Sequence, residues 1–435
     1  MEYLYVAGSS DISNKNKNLF QLISQQTTGL LYSLVNGMSK KNLGAIPMTD
    51  VANKINNCRN LFNNGKLFVD SGGYSIIKGD IPIDTINFII DCWAYYAKHA
   101  RDKFDFLFSL DIPLSIEYDE LNTKQKIYKY NKISLSVLVN LIKQFPELRE
   151  KLIFVWQFKM LSQYEIWRKL YDELELSKHI KHRAIGGMVG LRKLNKSLNF
   201  SPFTGMVFRC LLDFINSENN RGEFRLHFLG INIKYDRFHI ALLERLCNHY
   251  LGNEITAKFS YDSINFAHTA RKKKDLSFYS IEYDTIVQYR DITSVPDEVL
   301  KNVYGEYNLY TYIKSEIQLR KNNKNIKNIF SFAPLNIHSN MTLDRYFEKV
   351  IDEHSLVDII INNESITTVL GLLHPILEEL SNKLPEVFTQ EVKESINKNI
   401  RITHSLHKLF VKKLYSDLDD YIKYLIKRMV IKDII

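Results

Sequence analysis

Several short apolar segments of this 435-residue chain end in a carboxylate or in a pair of glycines. The clearest case is Lys66 to Ile77, KLFVDSGGYSII, in which the apolar run Leu67 to Val69 stops at Asp70 and a Ser-Gly-Gly turn follows. A short apolar run bounded by turn residues predicts a buried strand, and paired glycines let the backbone approach a ligand closely. Enzymes built on parallel sheets place reactive groups at this end of a strand. A strand followed by an Asx-type turn without a chemical role explains the stretch equally well.

The elements that would position these residues alternate regularly. The predicted strands are residues 3–7, 66–69, 104–110, 152–158, 183–188, 226–231 and 256–261, and the predicted helices are 48–62, 85–99, 123–144, 163–176, 202–216 and 237–250. Uniformly apolar strands are typical of a parallel sheet that is buried on both faces. Over roughly 260 residues this alternation predicts an α/β fold, a (β/α)8 TIM barrel, with a doubly wound open sheet as the alternative.

After residue 290 the pattern becomes mainly helical, with predicted helices at 343–356, 366–384 and 394–431. We therefore expect residues 1–290 to form the barrel and residues 291–435 an additional, mainly helical C-terminal region. Its basic, Asn-rich run Lys314 to Lys327 makes that region a candidate for nucleic-acid binding, although such a run is more commonly a solvated helix face.

The positive charge is concentrated in the first part of the chain. The net charge is +9, and from Asp291 onward there are 19 Lys and Arg residues against 20 Asp and Glu residues, so residues 1–290 carry +10. A polyanionic partner, nucleic acid first, is the natural interpretation, and a mildly basic protein without such a partner is the alternative.

The four cysteines are widely spaced, at positions 58, 92, 210 and 247, and form no CxxC pair. Together with an N-terminus that does not resemble a signal peptide, this predicts a reduced, cytoplasmic compartment. No apolar run is long enough to span a bilayer, so we expect no membrane partner. No clustered Cys and His residues predict a metal site.

Taken together and in chain order, the residues at the strand ends resemble those of the tRNA-guanine transglycosylase superfamily. They are Asp70, Asp111, Gln157, Gly186-Gly187, Gly230 and Asp262. The matching segments are VDSGGYS (69–75), SLDIP (109–113), VWQF (155–158), AIGGMVG (184–190), HFLGIN (227–232) and YDSINFAHTAR (261–271). The resemblance covers residues 66 to 271 and implies a pentosyltransferase that exchanges guanine on a TIM barrel, with no cofactor.

The resemblance implies that Asp262 is the nucleophile and Asp70 the general acid/base. Base exchange with retention needs one carboxylate to attack C1′ and a second group to give a proton to the leaving guanine. A carboxylate suits the N1–H and N2–H2 donors of guanine, and an amide with a backbone N–H suits O6. The substrate-binding residues implied are Ser71, Gly72, Tyr74, Asp111, Gln157, Gly186, Gly187 and Met188, with Tyr74 and Met188 sandwiching the purine.

Three departures from the tRNA enzymes favour a DNA substrate. The CxCxxC and His zinc site is missing, Ser75 stands where Gln is usual, and no Pro-Thr-Arg follows Asp262. The chain looks more like the DpdA-like branch of phages and bacterial genomic islands, which inserts 7-deazaguanines such as preQ0 into DNA, a modification associated with restriction evasion. For a phage protein, the compartment would be the host cytoplasm.

Three other functions remain open at this point. They are a tRNA-guanine transglycosylase, a non-catalytic nucleic-acid-binding subunit of such an enzyme, and an unrelated barrel hydrolase with two carboxylates. The sequence also leaves open whether the protein forms a homodimer. A DNA enzyme must take its target base out of the stack and hold the flanking phosphates. The candidates for phosphate binding are Arg183, Arg192, Lys193, Arg271, Lys272, Lys273 and Lys274.

The basic run Arg271 to Lys274 gives a first prediction. If it binds phosphates, DNA affinity should fall steeply with salt, and replacing all four residues with glutamine should flatten the slope of log K against log[salt]. Fluorescence anisotropy between low and moderate salt measures this slope. An unchanged slope would assign the run to a solvated surface.

Overall fold

Eight parallel strands form a closed barrel in chain order, since each strand pairs with the next and β8 pairs back with β1. The computed structural model describes residues 1–7, 17–35, 48–62, 65–73, 85–112, 120–158, 161–187, 201–217, 220–231, 233–263, 278–282, 284–305, 309–321, 332–397, 401–413 and 417–431. The predicted (β/α)8 barrel is confirmed, and the open sheet is excluded because the first and last strands pair.

The strands of the barrel are β1 Glu2–Ala7, β2 Gly29–Ser33, β3 Lys66–Asp70, β4 Phe106–Phe108, β5 Leu152–Gln157, β6 His182–Gly186, β7 Gly222–Phe228 and β8 Ile255–Asp262. The helices among them are α1 Lys17–Gln26, α2 Met48–Leu61, α3 Ile86–His99, α4 Glu120–Gln144, α5 Leu161–Glu173, α6 Leu176–His179, α7 Ser201–Ile215 and α8 Lys234–Leu251. A 3-10 turn, Pro146–Glu150, precedes β5.

A β-hairpin and a set of helices follow the barrel. The hairpin consists of β9 Phe278–Glu282 and β10 Thr285–Tyr289, and a 3-10 turn lies at Ile292–Ser294. The helices are α9 Asp297–Tyr304, α10 Tyr310–Lys321, α11 Ala333–Glu353, α12 Leu356–Asn362, α13 Ile366–Lys383, α14 Gln390–Asn397, α15 Arg401–Leu406 with a π turn at His407–Val411, and α16 Leu418–Ile431. The mainly helical C-terminal region is confirmed. None of the described helices is long and apolar enough to cross a membrane.

Alternation along each strand explains why the strands are apolar throughout. In β3, Phe68 packs inside the barrel with residues of neighbouring strands, whereas Leu67 and Val69 face outward into the core under the helices. Leu4, Leu31, Phe108 and Ile153 also belong to the internal cluster. Both faces of every strand are therefore buried, as in other parallel barrels.

Strand β2 was not predicted, because Gly29 looked like a break in an apolar stretch. In the structure Gly29 is the first residue of β2, and a Cβ there would lie 2.8 Å from Lys66 O and 2.9 Å from Leu4 Cδ2. This glycine permits close packing inside a strand pair and does not mark a turn.

Helix α11 completes the ring of helices around the barrel. It packs between α8 and α1, and also against β9, so the eighth helix of the ring comes from beyond residue 290. One hydrophobic core cluster includes residues from both sides of residue 290.

A buried ion pair joins α11 to α8. Arg237 Nη1 lies 2.8 Å from Asp344 Oδ1, and both side chains are almost fully buried. The Tyr261 hydroxyl donates a hydrogen bond to Asp344, and Arg237 Nη2 donates to Asn340 Oδ1 over 3.0 Å. Burial raises the pKa of Asp344, and the Arg237 charge opposes that rise.

This pair gives a second prediction. Asp344→Asn should lower the free energy of unfolding by about 3–5 kcal/mol, because it leaves the Arg237 guanidinium buried without its counter-charge. The matched control is Asp352→Asn, which removes a solvent-exposed partner of Arg245 between the same two helices. The control should cost less than about 1 kcal/mol. Urea unfolding compares the two variants, and equal losses would contradict the assignment.

Candidate active site

Three carboxylates converge at the carboxyl end of the barrel. Asp70 is the last residue of β3, Asp262 is the last residue of β8, and Asp111 follows the end of β4 by three residues. The charges of Asp111 and Asp262 both contribute to the raised pKa of Asp70, so the three groups share one electrostatic environment. No described Lys or Arg side chain forms an ion pair with any of them.

The pKa of Asp70 is raised to about 7. Burial is the largest cause, followed by the charges of Asp111 and Asp262, while the backbone N–H of Gly72 donates to Asp70 Oδ2 over 3.2 Å and opposes the rise. A carboxyl group with this pKa exchanges a proton readily near neutral pH, which is the property a general acid/base needs. Gly72 has φ +91°, and a Cβ there would lie 2.2 Å from Val35 Cγ2, so only glycine fits here without strain.

The peptide that carries Asp111 is held from two sides. Ser71 Oγ donates to Asp111 Oδ1 over 3.1 Å, and burial raises the pKa of Asp111 to about 6. From α4, the Asn131 side chain accepts from the N–H of Ile112 over 2.8 Å and donates to its carbonyl over 3.1 Å. A Cβ at Gly73 would lie 3.0 Å from both carboxylate oxygens of Asp111, so the glycine turn lets the two segments meet.

Among the described residues, the hydrogen-bond partners of Asp262 all lie at one carboxylate oxygen. His227 Nε2 lies 3.0 Å from Asp262 Oδ1, and the N–H of Gly230 donates to the same oxygen over 2.9 Å. No described residue donates to Oδ2. His227 Nδ1 lies 2.9 Å from Ser260 Oγ, and all three side chains are buried. Sequence reasoning missed His227; its signal was a polar residue at an inward position of the apolar run LHFLGI.

Gln157 and Gly186 are directly opposite each other on β5 and β6. A Cβ at residue 186 would lie 1.8 Å from Gln157 Oε1, so the amide occupies the space that any other residue would fill. Gln157 Oε1 is buried and accepts no hydrogen bond from the described residues. A buried amide without a partner is costly unless a ligand or water completes it, which fits a binding site. Gly187 has φ +86°, and a Cβ there would lie 2.0 Å from the Phe158 carbonyl oxygen.

The remaining predicted residues divide into two groups. The first group lies outside the described residues and consists of Tyr74, Met188, Arg192, Lys193 and Arg271 to Lys274. Arg183 was wrongly proposed for phosphate binding. Its guanidinium is buried behind β6 and donates to the Ile180 carbonyl over 2.6 Å and to Tyr171 over 2.8 Å, so it cannot reach a phosphate.

Within the part of the chain that the structure describes, no three His, Cys, Asp or Glu side chains are grouped as metal ligands would be. The four cysteines are buried free thiols. A scan against protein-family models and a comparison with curated proteins find no match to this chain.

The raised pKa of Asp70 predicts a pH-dependent cost to stability. The folded protein holds a proton on Asp70 up to about pH 7, whereas the unfolded chain releases it near pH 3.8. Stability therefore falls as pH rises through that window. Asp70→Asn abolishes this loss and should raise the free energy of unfolding at pH 8 by up to about 4 kcal/mol, with little effect at pH 4.

Thermal unfolding of the two proteins at several pH values measures the effect. Glu254→Gln, at an exposed position, is the control and should show no such trend. A stability difference that does not grow between pH 4 and pH 8 would show that Asp70 ionises at an ordinary pKa.

Proposed function

We propose that this chain is a DNA guanine transglycosylase, which replaces guanine with a 7-deazaguanine base such as preQ0 through a covalent aspartyl–glycosyl intermediate. The observation that carries the proposal is the convergence of Asp70, Asp111 and Asp262 at the carboxyl end of the barrel, with Asp70 titrating near neutral pH. The motifs that resemble the tRNA-guanine transglycosylase superfamily contribute all three residues.

In the first half-reaction Asp262 Oδ2 attacks C1′ of the target nucleotide. The bond between C1′ and guanine N9 breaks, and its electron pair leaves with the base. Asp70, as the carboxylic acid, transfers its proton to the departing guanine, which leaves neutral. The products are a glycosyl ester on Asp262 and an ionised Asp70.

The second half-reaction reverses these roles. The Asp70 carboxylate takes the N9 proton of the incoming 7-deazaguanine, and N9 attacks C1′ as the ester bond to Asp262 breaks. Asp262 is released as a carboxylate and Asp70 is again protonated, so no cofactor is consumed. A pKa near 7 lets one group serve as acid and then as base.

The proposed base-binding groups match the hydrogen-bonding edge of guanine. The Asp111 carboxylate accepts from N1–H and N2–H2, and the amide of Gln157 with the backbone N–H of Gly187 serves O6. In this arrangement the side-chain NH2 of Gln157 donates to O6, and the unpartnered Oε1 is left to accept from an N–H group of the bound substrate. Replacing the 7-nitrogen of guanine with carbon leaves this edge unchanged, so guanine and its 7-deaza analogues bind in the same manner.

The excess positive charge of residues 1–290 suits either nucleic acid, and the missing zinc motif favours DNA over tRNA. Nucleosides from the DNA and the tRNA of cells with and without the gene, analysed by mass spectrometry, identify the nucleic acid and the inserted base. A 7-deazaguanine deoxynucleoside that depends on the gene supports the proposal. A modified nucleoside found only in tRNA would replace DNA with tRNA as the substrate.

Substitutions of the two proposed catalytic aspartates should affect guanine exchange in vitro to different extents. With guanine-containing duplex DNA and labelled guanine, Asp262→Ala and Asp262→Asn should abolish exchange, because neither side chain can form the glycosyl ester. Asp70→Asn should retain slow exchange, reduced by about 10²–10⁴-fold, because only the proton transfer is lost. Glu254→Gln is the control. Exchange by Asp262→Ala, or full exchange by Asp70→Asn, would contradict the assigned roles.

A further inference from the structure

A chain of three buried side chains ends on the proposed nucleophile. Ser260 Oγ lies 2.9 Å from His227 Nδ1, and His227 Nε2 lies 3.0 Å from Asp262 Oδ1. His227 and Ser260 are paired in register on β7 and β8, and Asp262 follows Ser260 by two residues, so all three point into the barrel. His227 begins the segment HFLGIN (227–232) and Ser260 directly precedes the segment YDSINFAHTAR (261–271), but the proposed function assigns no role to either residue.

The direction of these hydrogen bonds follows from the groups involved. An ionised carboxylate can only accept, so Nε2 of His227 carries the proton that it donates to Asp262 Oδ1. The Ser260 hydroxyl can donate to Nδ1 or accept from it, and it holds the ring in either case. The ring is further confined by Phe108, with centroids 5.0 Å apart, and by Phe68 at 6.4 Å.

We propose that His227 is a positioning residue that selects Oδ2 of Asp262 as the attacking oxygen. This inference rests on the proposed transglycosylase function. His227 and the Gly230 N–H together occupy Oδ1, and no described residue donates to Oδ2, so the second oxygen keeps its lone pairs for C1′. The ring also fixes the rotation of the carboxylate about its Cβ–Cγ bond.

The same two donors act in the second half-reaction. When Oδ2 carries the sugar, Oδ1 is the carbonyl oxygen of the ester. As the ester bond breaks, negative charge returns to the carboxylate, and the N–H groups of His227 and Gly230 stabilise it at Oδ1. Hydrogen bonds from donors that are already in place become stronger as the negative charge develops, and this lowers the activation barrier of such a step.

A purely structural role for His227 makes a different prediction. If the ring only fills the barrel interior, phenylalanine should replace it, because the site is lined by Phe68 and Phe108. If the N–H is what matters, phenylalanine should fail and glutamine should rescue, because the glutamine amide can place an N–H near the position of Nε2.

The test is steady-state exchange of labelled guanine into duplex DNA by the full chain. His227→Phe should lower kcat by about 10- to 100-fold, the usual effect of a lost hydrogen bond to a charged group, and leave the KM for guanine unchanged. His227→Gln should remain within about tenfold of the wild type. His249→Phe, an exposed histidine on α8, is the control and should behave as the wild type.

Wild-type kcat in His227→Phe, or equal losses in the Phe and Gln variants, would overturn the positioning role while leaving the transglycosylase function standing. No exchange by the wild type itself would instead overturn the proposed function, and this inference with it. Should His227→Phe fail to fold, Ser260→Ala decides, because it removes only the hydroxyl that holds the ring. We expect it to lower kcat with KM unchanged, and an unchanged kcat would overturn the proposal.

Discussion

Three carboxylates lie together at the carboxyl end of the barrel, and no described Lys or Arg side chain forms an ion pair with them; this is the constraint on which the site depends. Burial raises the pKa of Asp70, the charges of Asp111 and Asp262 raise it further, and Asp70 therefore takes up a proton near pH 7. The opposite end of the barrel differs, since Arg225 there is ion-paired with Glu2 over 2.6 Å. The charge at the amino end is therefore neutralised, whereas among the described residues the carboxylates at the carboxyl end have no Lys or Arg partner.

Carboxylates that repel one another stay close together only if the surrounding structure prevents them from moving apart. Strand β8 is held on both faces: Ser260 and Asp262 contact His227 inside the barrel, and Tyr261 is bound outside by Asp344 of α11. The Tyr3 hydroxyl also donates to the carbonyl of Ser263, directly after the strand. The C-terminal helix α11 is therefore part of the support for the proposed nucleophile, even though it lies outside the barrel.

The fold and the strand-end residues could be predicted because both depend on local pattern. The apolar runs that stop at Asp70 and Asp262 indicate both the buried strands and the residues at which these strands end. The role of Gly29 could not be predicted from the sequence, because the atoms that pack closely against it belong to neighbouring strands. His227 was missed for the same reason: its partners lie on β8, distant in sequence. The raised pKa of Asp70 depends on its burial and on two carboxylates from other strands, and both arise only when the barrel has formed.

The central claim is that one of the three carboxylates, Asp262, becomes covalently bonded to the sugar. The most direct test incubates the protein with guanine-containing duplex DNA and no incoming base, quenches it with acid and digests both partners. Tandem mass spectrometry then locates any deoxyribose-linked peptide. The account predicts a single adduct on the β8 peptide, at Asp262. An adduct on Asp70 or Asp111, or base release with no adduct at all, would contradict it.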